Sequence, residues 1–204
     1  MSWTPLSPDR LTEGLADRLV RRPGIVRVAV DGPECAHAEH LVGEVQEALR
    51  ARGRPSGHVP ARLFWRDASV RLEHGHEDIE SYLGWLDADA LRREVLVPIG
   101  AEGTYLPSLR DPATNRSTRE PVRRADAGTV LFVSGEFLLG LGLPFDEVIH
   151  LTMSPAARSR HTAADQAWTL PAHERYEAEV DPAALADVVV RLEDPRRPAV
   201  RGLS

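Results

Sequence analysis

A three-layer α/β sandwich around a parallel sheet is the fold class the sequence predicts, and three observations predict it. The runs "GIVRVAVDG", "GTVLFVSGEFLLG" and "FDEVIHLTM" are apolar and rich in β-branched residues, as strands covered on both faces require. Amphipathic helical patterns stand between them, and strands alternating with helices imply a parallel sheet. The 204 residues suit one α/β domain with a sizeable core, so the chain is read as a single domain, 1–204, without an internal repeat.

Residues 8–21, "PDRLTEGLADRLVR", put Leu11, Leu15, Leu19 and Val20 on one helical face, with Ser7 or Asp9 available as cap. The strand over "GIVRVAVDG" leads into a helix that turns Leu41, Val42, Val45, Ala48 and Leu49 toward the core. A second strand is expected in "HVPARLFW", shortened or pushed to an edge by Pro60. "DADALRREVLVPIG" reads as a helix opened by Asp87 or Asp89 and closed before Pro98-Ile99-Gly100. Residues 101–128 are polar, with Pro, Asn and Thr, and predict a long loop or a small hairpin. Two central strands follow. "SPAARSRHTAADQAW" has a Ser-Pro helix start, and "DPAALADVVVRLEDP" gives a short helix and the last strand.

All 25 basic side chains are arginine and none is lysine, which excludes a Schiff base, a lysine general base and a phosphate-binding lysine. Arginine holds anions bidentately but does not release a proton near neutrality. A net charge of −6 argues against a broad nucleic-acid surface, and no apolar run reaches the ~18 residues of a membrane span. The N-terminus lacks the basic flank and apolar segment of a signal peptide, so a cytoplasmic location is the default expectation. The single cysteine, Cys35, excludes an internal disulfide and a Cys-based zinc cage.

The order of these elements resembles the uridine kinase and phosphoribulokinase branch of the P-loop kinases, in particular uridine-kinase-like proteins of actinobacteria. The resemblance is carried by "VRVAVDG" with the helix after it, "ALRARGRP", "DADALRREVLVPIG", "DPATNR", "GTVLFVSGEFLL" and "ADVVVRLEDPRRP". It implies a P-loop NTPase fold, with residues 59–86 and 101–128 as substrate-lobe or loop insertions and 154–180 as a lid-like region. In that family the first loop reads GxxxxGK[ST], whose amides and lysine cradle phosphates while the hydroxyl holds Mg²⁺. Counted from Gly32, this chain has His37 at the second glycine, Ala38 at the lysine and Glu39 at the hydroxyl. Exchanging a cation and a neutral ligand for Ala38 and Glu39 adds about two negative charges, at about 4 kcal/mol for each close like-charge contact. ATP with Mg²⁺ is therefore expected to bind poorly, and no cofactor is assigned.

The other family positions differ too. The acidic pair followed by Phe after the second strand corresponds to Arg62-Leu63-Phe64, which keeps only the aromatic ring. The Asp-Gly after the strand 129–133 corresponds to Ser134-Gly135-Glu136, and Leu192 stands where the family has an asparagine near the adenine. Arg158 and Arg160 fall where the family's lid arginines clamp phosphate, and Gly32, Asp194 and Pro195 are kept.

The residues that occupy the loop suggest other chemistry. Cys35 at a helix N-terminus is a candidate thiolate nucleophile with His37 as its base, and Glu39 and Glu136 are candidate acid/base carboxylates. His37 with His40, and His74 with His76, have spacings compatible with a metal, although neither pair is a full ligand set. Arg62 and Arg66 suit an anion, and Phe64, Trp65, Tyr82 and Trp85 suit a planar ligand. Gly32, His40, Ser134, Arg158 and Arg160 complete the candidate ligand contacts. Three functions stay open: a repurposed protein that binds a small polar metabolite, with or without non-kinase chemistry; a non-catalytic interaction module; and an atypical nucleoside-type kinase. A small molecule is the expected partner, and a homo-oligomer is compatible with the sequence.

Overall fold

The computed structural model describes residues 2–203. Strand β1 (Thr4–Pro5) precedes helix α1 (Pro8–Val20), whose cap Ser7 accepts the Arg10 amide at 3.3 Å. Leu11, Leu15 and Leu19 are buried, each contributing about 1.5–3 kcal/mol relative to exposure, while Val20 is only partly covered. Strand β2 (Val26–Asp31) runs through a 3-10 turn at Glu34–Ala36 into α2 (Ala38–Ala51), which buries Val42, Val45, Ala48 and Leu49. Strand β3 (Ser56–Pro60) stops at its proline, and Ala61–Phe64 form a 3-10 turn rather than more strand.

Two short helices, α3 (Ala68–Arg71) and α4 (Ile79–Leu83), lead to α5 (Ala88–Leu91), capped by Asp87. Helix α5 continues through a π-helical stretch at Arg92–Leu96 into α6 (Val97–Glu102), so Pro98 does not close the helix as expected. Proline removes the bond that residue 98 would donate to the Glu94 carbonyl, and the Leu106 amide takes that acceptor at 2.9 Å. The wider π turn accommodates the ring.

Residues 101–128 form two nested pairs, β4 (Thr104–Tyr105) and β5 (Arg110–Asp111) with β6 (Arg116–Ser117) and β7 (Arg123–Arg124). Strands β8 (Val130–Gly135) and β9 (Glu147–Thr152) follow, then α7 (Pro155–His161), α8 (Leu170–Val180), α9 (Pro182–Leu185), β10 (Val188–Arg191) and β11 (Ala199–Arg201).

The main sheet has the order β1-β11-β10-β9-β2-β8-β3, parallel from β10 to β3, with β11 and β1 added antiparallel at one edge. Strand β3 is the opposite edge, where Pro60 faces no further ladder. Val26, Val28 and Val30 face the core beneath α1 and α2, and Ala29 faces the second core, with Leu91, Val95, Leu96 and Ile99. These two cores make three layers. Strand β2 lies between β8 and β9, so the crevice outside the carboxyl ends of β2 and β8 is where such a sheet offers a ligand site. Among the described residues no helix is long and apolar enough to cross a membrane.

Candidate functional site

A cavity of about 820 Å³ lies in that crevice, within the range of small-molecule sites. Its floor is made by Gly32 to Glu34 after β2 and by Ser134 to Phe137, the last two residues of β8 and the two that follow. The wall comes from Trp65, Tyr82 and Trp85, and Trp168 covers it from the segment before α8.

Close packing of the two floor loops demands glycine. A Cβ on Gly32 would lie 2.8 Å from both the Cβ and the carbonyl oxygen of Leu151, and one on Gly135 would lie 2.7 Å from the Ala61 Cβ. His37 and Phe137, which also line the cavity, hold φ values of 52° and 58°, a left-handed geometry that costs a non-glycine residue about 1 kcal/mol or more. His37 thus keeps the backbone shape of a glycine while exposing an imidazole.

The amides that open the first loop are engaged within the protein. Gly32 donates to the Gly135 carbonyl at 3.1 Å, Ala36 to Pro33 at 2.8 Å and His37 to Glu34 at 2.9 Å. The Glu34 amide donates to Glu136 Oε1 at 2.8 Å. A carboxylate of the protein therefore engages an amide of this turn.

Glu136 also accepts from the Tyr82 hydroxyl, in a short contact, and from His173 Nε2 at 3.1 Å. Because an ionised carboxylate only accepts, the His173 proton is on Nε2 in this contact. Burial pushes the Glu136 carboxyl up, but His173, Tyr82 and the Glu34 amide together hold it below the ordinary carboxylate range. Burial first, and then Glu136, push the Tyr82 phenol far above its ordinary value, so it remains a donor. Beneath the floor, Ser134 is buried and its Oγ lies 2.8 Å from His58 Nε2; burial pulls His58 down to about 4, so it is neutral at pH 7.

Behind the floor Asp31 is fully buried. It meets His150 Nδ1 at 2.7 Å, the Tyr176 hydroxyl at 3.2 Å and the Leu138 amide at 2.8 Å.

The structure brings Gly32, His37, Glu39, His40, Arg62, Trp65, Tyr82, Ser134 and Glu136 to the cavity. Glu39 and Arg62 form an ion pair with each other at its mouth, both about half exposed. Cys35 is not part of the lining. Its sulfur packs 3.7 Å from Met153 Sδ and 3.7 Å from the Thr162 hydroxyl, and burial pushes the thiol up, opposite to a thiolate nucleophile. Phe64 is fully buried core rather than a ligand contact. Arg158 is buried and paired with Glu177 at 2.5 Å, and Arg160 is exposed on α7, so neither reaches the cavity as an anion clamp. His76 lies at the rim beside Trp168, with ring centroids 5.2 Å apart, and His74 borders a separate shallow hollow. Among the described residues no three His, Cys, Asp or Glu side chains gather as a metal site.

Sequence reasoning missed Arg71, Trp168 and His173. His173 and Tyr176 are three apart on α8 and buried on one face, which is a spacing signal. Arg71 carried none.

The mostly parallel sheet, with a central strand that runs through a loop into a helix, has the architecture of P-loop kinase-like structures. Solved structures agree. A "possible uridine kinase" from Bacillus stearothermophilus matches with a TM-score of 0.72 and 19% identity, over 88% of this chain and 97% of that one. A kinase ascribed to a fructose transport system of Silicibacter sp. TM1040 matches with a TM-score of 0.53 and 20% identity, over 82% of this chain and 95% of that one. No protein-family model and no curated protein matches the sequence.

Proposed function

We propose that this chain is a uridine-kinase-like protein that has lost phosphoryl transfer and binds a small polar metabolite in the cavity over β2 and β8. The observation that carries the reading is the Glu136 carboxylate on the Glu34 amide, inside the turn where a kinase would receive phosphate. With no lysine in the chain, and Glu34, Glu39 and Glu136 all at the cavity, a nucleoside triphosphate would meet like charge and engaged amides. An ATP-dependent nucleoside-type kinase, which the description of one structural neighbour suggests, is disfavoured on those grounds.

The depressed carboxyl of Glu136 makes it a weak base and a good acceptor, which favours anchoring a ligand N–H or hydroxyl over abstracting a proton. A second reading, acid–base chemistry in the same cavity, is supported by one feature: the Tyr82–Glu136–His173 chain, whose carboxylate keeps 15% of its surface exposed.

Thermal unfolding with and without 5 mM ATP and Mg²⁺ tests the proposal. A site filled about a hundredfold over its Kd gains about 2.7 kcal/mol, or several degrees in a domain of this size. The expected shift with ATP is below about 1 °C, the scale of no net binding. A shift of several degrees would return the protein to the kinases.

A further inference from the structure

The end of the cavity away from the loop is built around an arginine that has no acid. Arg71 is only 7% exposed, yet among the described residues no carboxylate lies within ion-pair distance of it. Its Nε donates to the Arg66 carbonyl at 2.9 Å, and its guanidinium carbon stands 5.2 Å and 4.8 Å from the ring centroids of Trp65 and Trp85. Asp67 attracts it through space but is held by Arg110 at 3.0 Å, by Ser69 and by Asn115. Burying a cation without its counter-ion is costly, and the other buried arginine, Arg158, has Glu177. Arginine does not neutralise itself at ordinary pH, so the Arg71 guanidinium, which lines the cavity, is open to an anion from outside the chain.

The surroundings say what kind of anion. Trp65 and Trp85 are 5.1 Å apart, Tyr82 and Trp85 4.9 Å, and Tyr82 and Trp168 4.9 Å, centroid to centroid, giving a continuous aromatic wall. Because Arg71 already occupies the neighbourhood of the Trp65 and Trp85 rings, the wall is not a cage for a second cation. Trp85 Nε1 donates to the Arg71 carbonyl at 3.1 Å, whereas Trp168 Nε1 is buried with no acceptor. A second donor beside the wall thus lacks a partner. At the other end Glu34, Glu39 and Glu136 disfavour a dianion but suit a hydroxyl or amine.

Resting on the reading of the cavity as a metabolite site, we infer that its ligand is a planar organic monocarboxylate, its carboxylate on the Arg71 guanidinium, its body on the wall of Tyr82, Trp85 and Trp168, and a hydrogen-bond donor toward Glu136. A guanidinium fork matches a carboxylate bidentately, which gives orientation as well as affinity.

Three of the four tryptophans line this cavity, so their fluorescence reports occupancy. The probes are 4-hydroxybenzoate and indole-3-carboxylate, each against its own carboxamide, with phenyl phosphate as the dianion. The expected result is binding of each carboxylate about tenfold or more tighter than its amide, as for a charge-assisted pair. Arg71→Met, folded by circular dichroism, should bring acid and amide within about twofold of each other, the scatter expected once the charged contact is gone. If that variant does not fold, the acid-to-amide ratio of the native protein decides by itself. Equal binding of acid and amide by the native protein overturns the inference while leaving a metabolite cavity. Tighter binding of phenyl phosphate than of either acid overturns the monocarboxylate. No fluorescence response to any probe overturns both this inference and the metabolite reading.

Discussion

Two carboxylates stand at the ends of neighbouring strands, Asp31 on β2 and Glu136 just past β8, and each gathers the same set of partners: one histidine, one tyrosine and one backbone amide. Asp31 has His150, Tyr176 and the Leu138 amide; Glu136 has His173, Tyr82 and the Glu34 amide. The arrangement is reciprocal, because each carboxylate holds the backbone of the loop that follows the other's strand. Asp31 is sealed at 0% exposure, whereas the side chain of Glu136 keeps 15% and borders the cavity. The same chemistry therefore does two jobs according to whether a ligand can reach it. Helix α8 ties the two together, since His173 serves one carboxylate and Tyr176, one turn later, serves the other.

The contrast is broken hardest at Asp31. Asp31→Ala leaves His150, Tyr176 and the Leu138 amide without their acceptor in a sealed site, and the expected loss is about 3–5 kcal/mol by urea denaturation. Glu136→Gln keeps an acceptor for the Glu34 amide beside the cavity and should cost about 1 kcal/mol, while weakening ligands that donate to the carboxylate. Equal stability losses in the two variants would mean that both clusters are structural and that the cavity floor has no separate role.

The sequence shows the scaffold far better than the site. The apolar runs around Val28, Phe132 and Ile149 declare strands covered on both faces, because a doubly covered strand leaves no polar alternation. The edge position of β3 follows from Pro60, and the caps at Ser7, Asp87 and Ser154 follow from their side chains. Strands β1 and β11, two and three residues long, have no periodicity to detect. The π turn at Arg92–Leu96 depends on where the freed Glu94 carbonyl finds a donor, which is a tertiary matter.

The site divides along the same line. Glu136 and His37 could be named because they sit in loops at strand ends, where α/β folds bind ligands, and Tyr82 because its ring suits a planar ligand. Arg71 could not, since in sequence it is one more arginine in a short helix, and only packing against Trp65 and Trp85 isolates it from acids. Arg158 misled for the converse reason: its place in the chain fits a phosphate clamp, but Glu177 on α8 neutralises it.

A smaller effect sharpens the comparison through pH. His58, under the floor at Ser134, is pulled down to about 4 by burial, whereas an unfolded chain protonates it near 6.5. Between those values the unfolded state binds the extra proton, so stability is fully present above about pH 6.5 and falls as pH drops toward about 4. The contribution should be about 1–2 kcal/mol, reduced from the full shift because the ring is partly exposed. Glu136, depressed in the fold, adds a further loss only below the ordinary carboxylate range, as pH falls through its folded value. His58→Gln should flatten the limb between pH 6.5 and 4 and leave the acid limb in place. If the upper limb survives that substitution, another group near the floor sets it.

The smallest effect is expected at Cys35, which stands in the first loop but belongs to neither cluster. Its sulfur faces Met153 and Thr162 rather than the cavity, and burial, the largest influence on it, raises the thiol; the Thr162 hydroxyl pulls it down less. A thiol so placed is mostly protonated at pH 7 and reacts slowly, because the thiolate is the nucleophile. Cys35→Ala should therefore change stability by less than about 1 kcal/mol and leave probe binding within error of the native protein, since only a small half-buried contact is lost. The rate of modification by a disulfide reagent should be below that of a free cysteine derivative at pH 7 and should rise only at alkaline pH. Faster modification than the free thiol at pH 7, blocked by a bound carboxylate probe, would place Cys35 at the site and join the loop to the chemistry of Glu136.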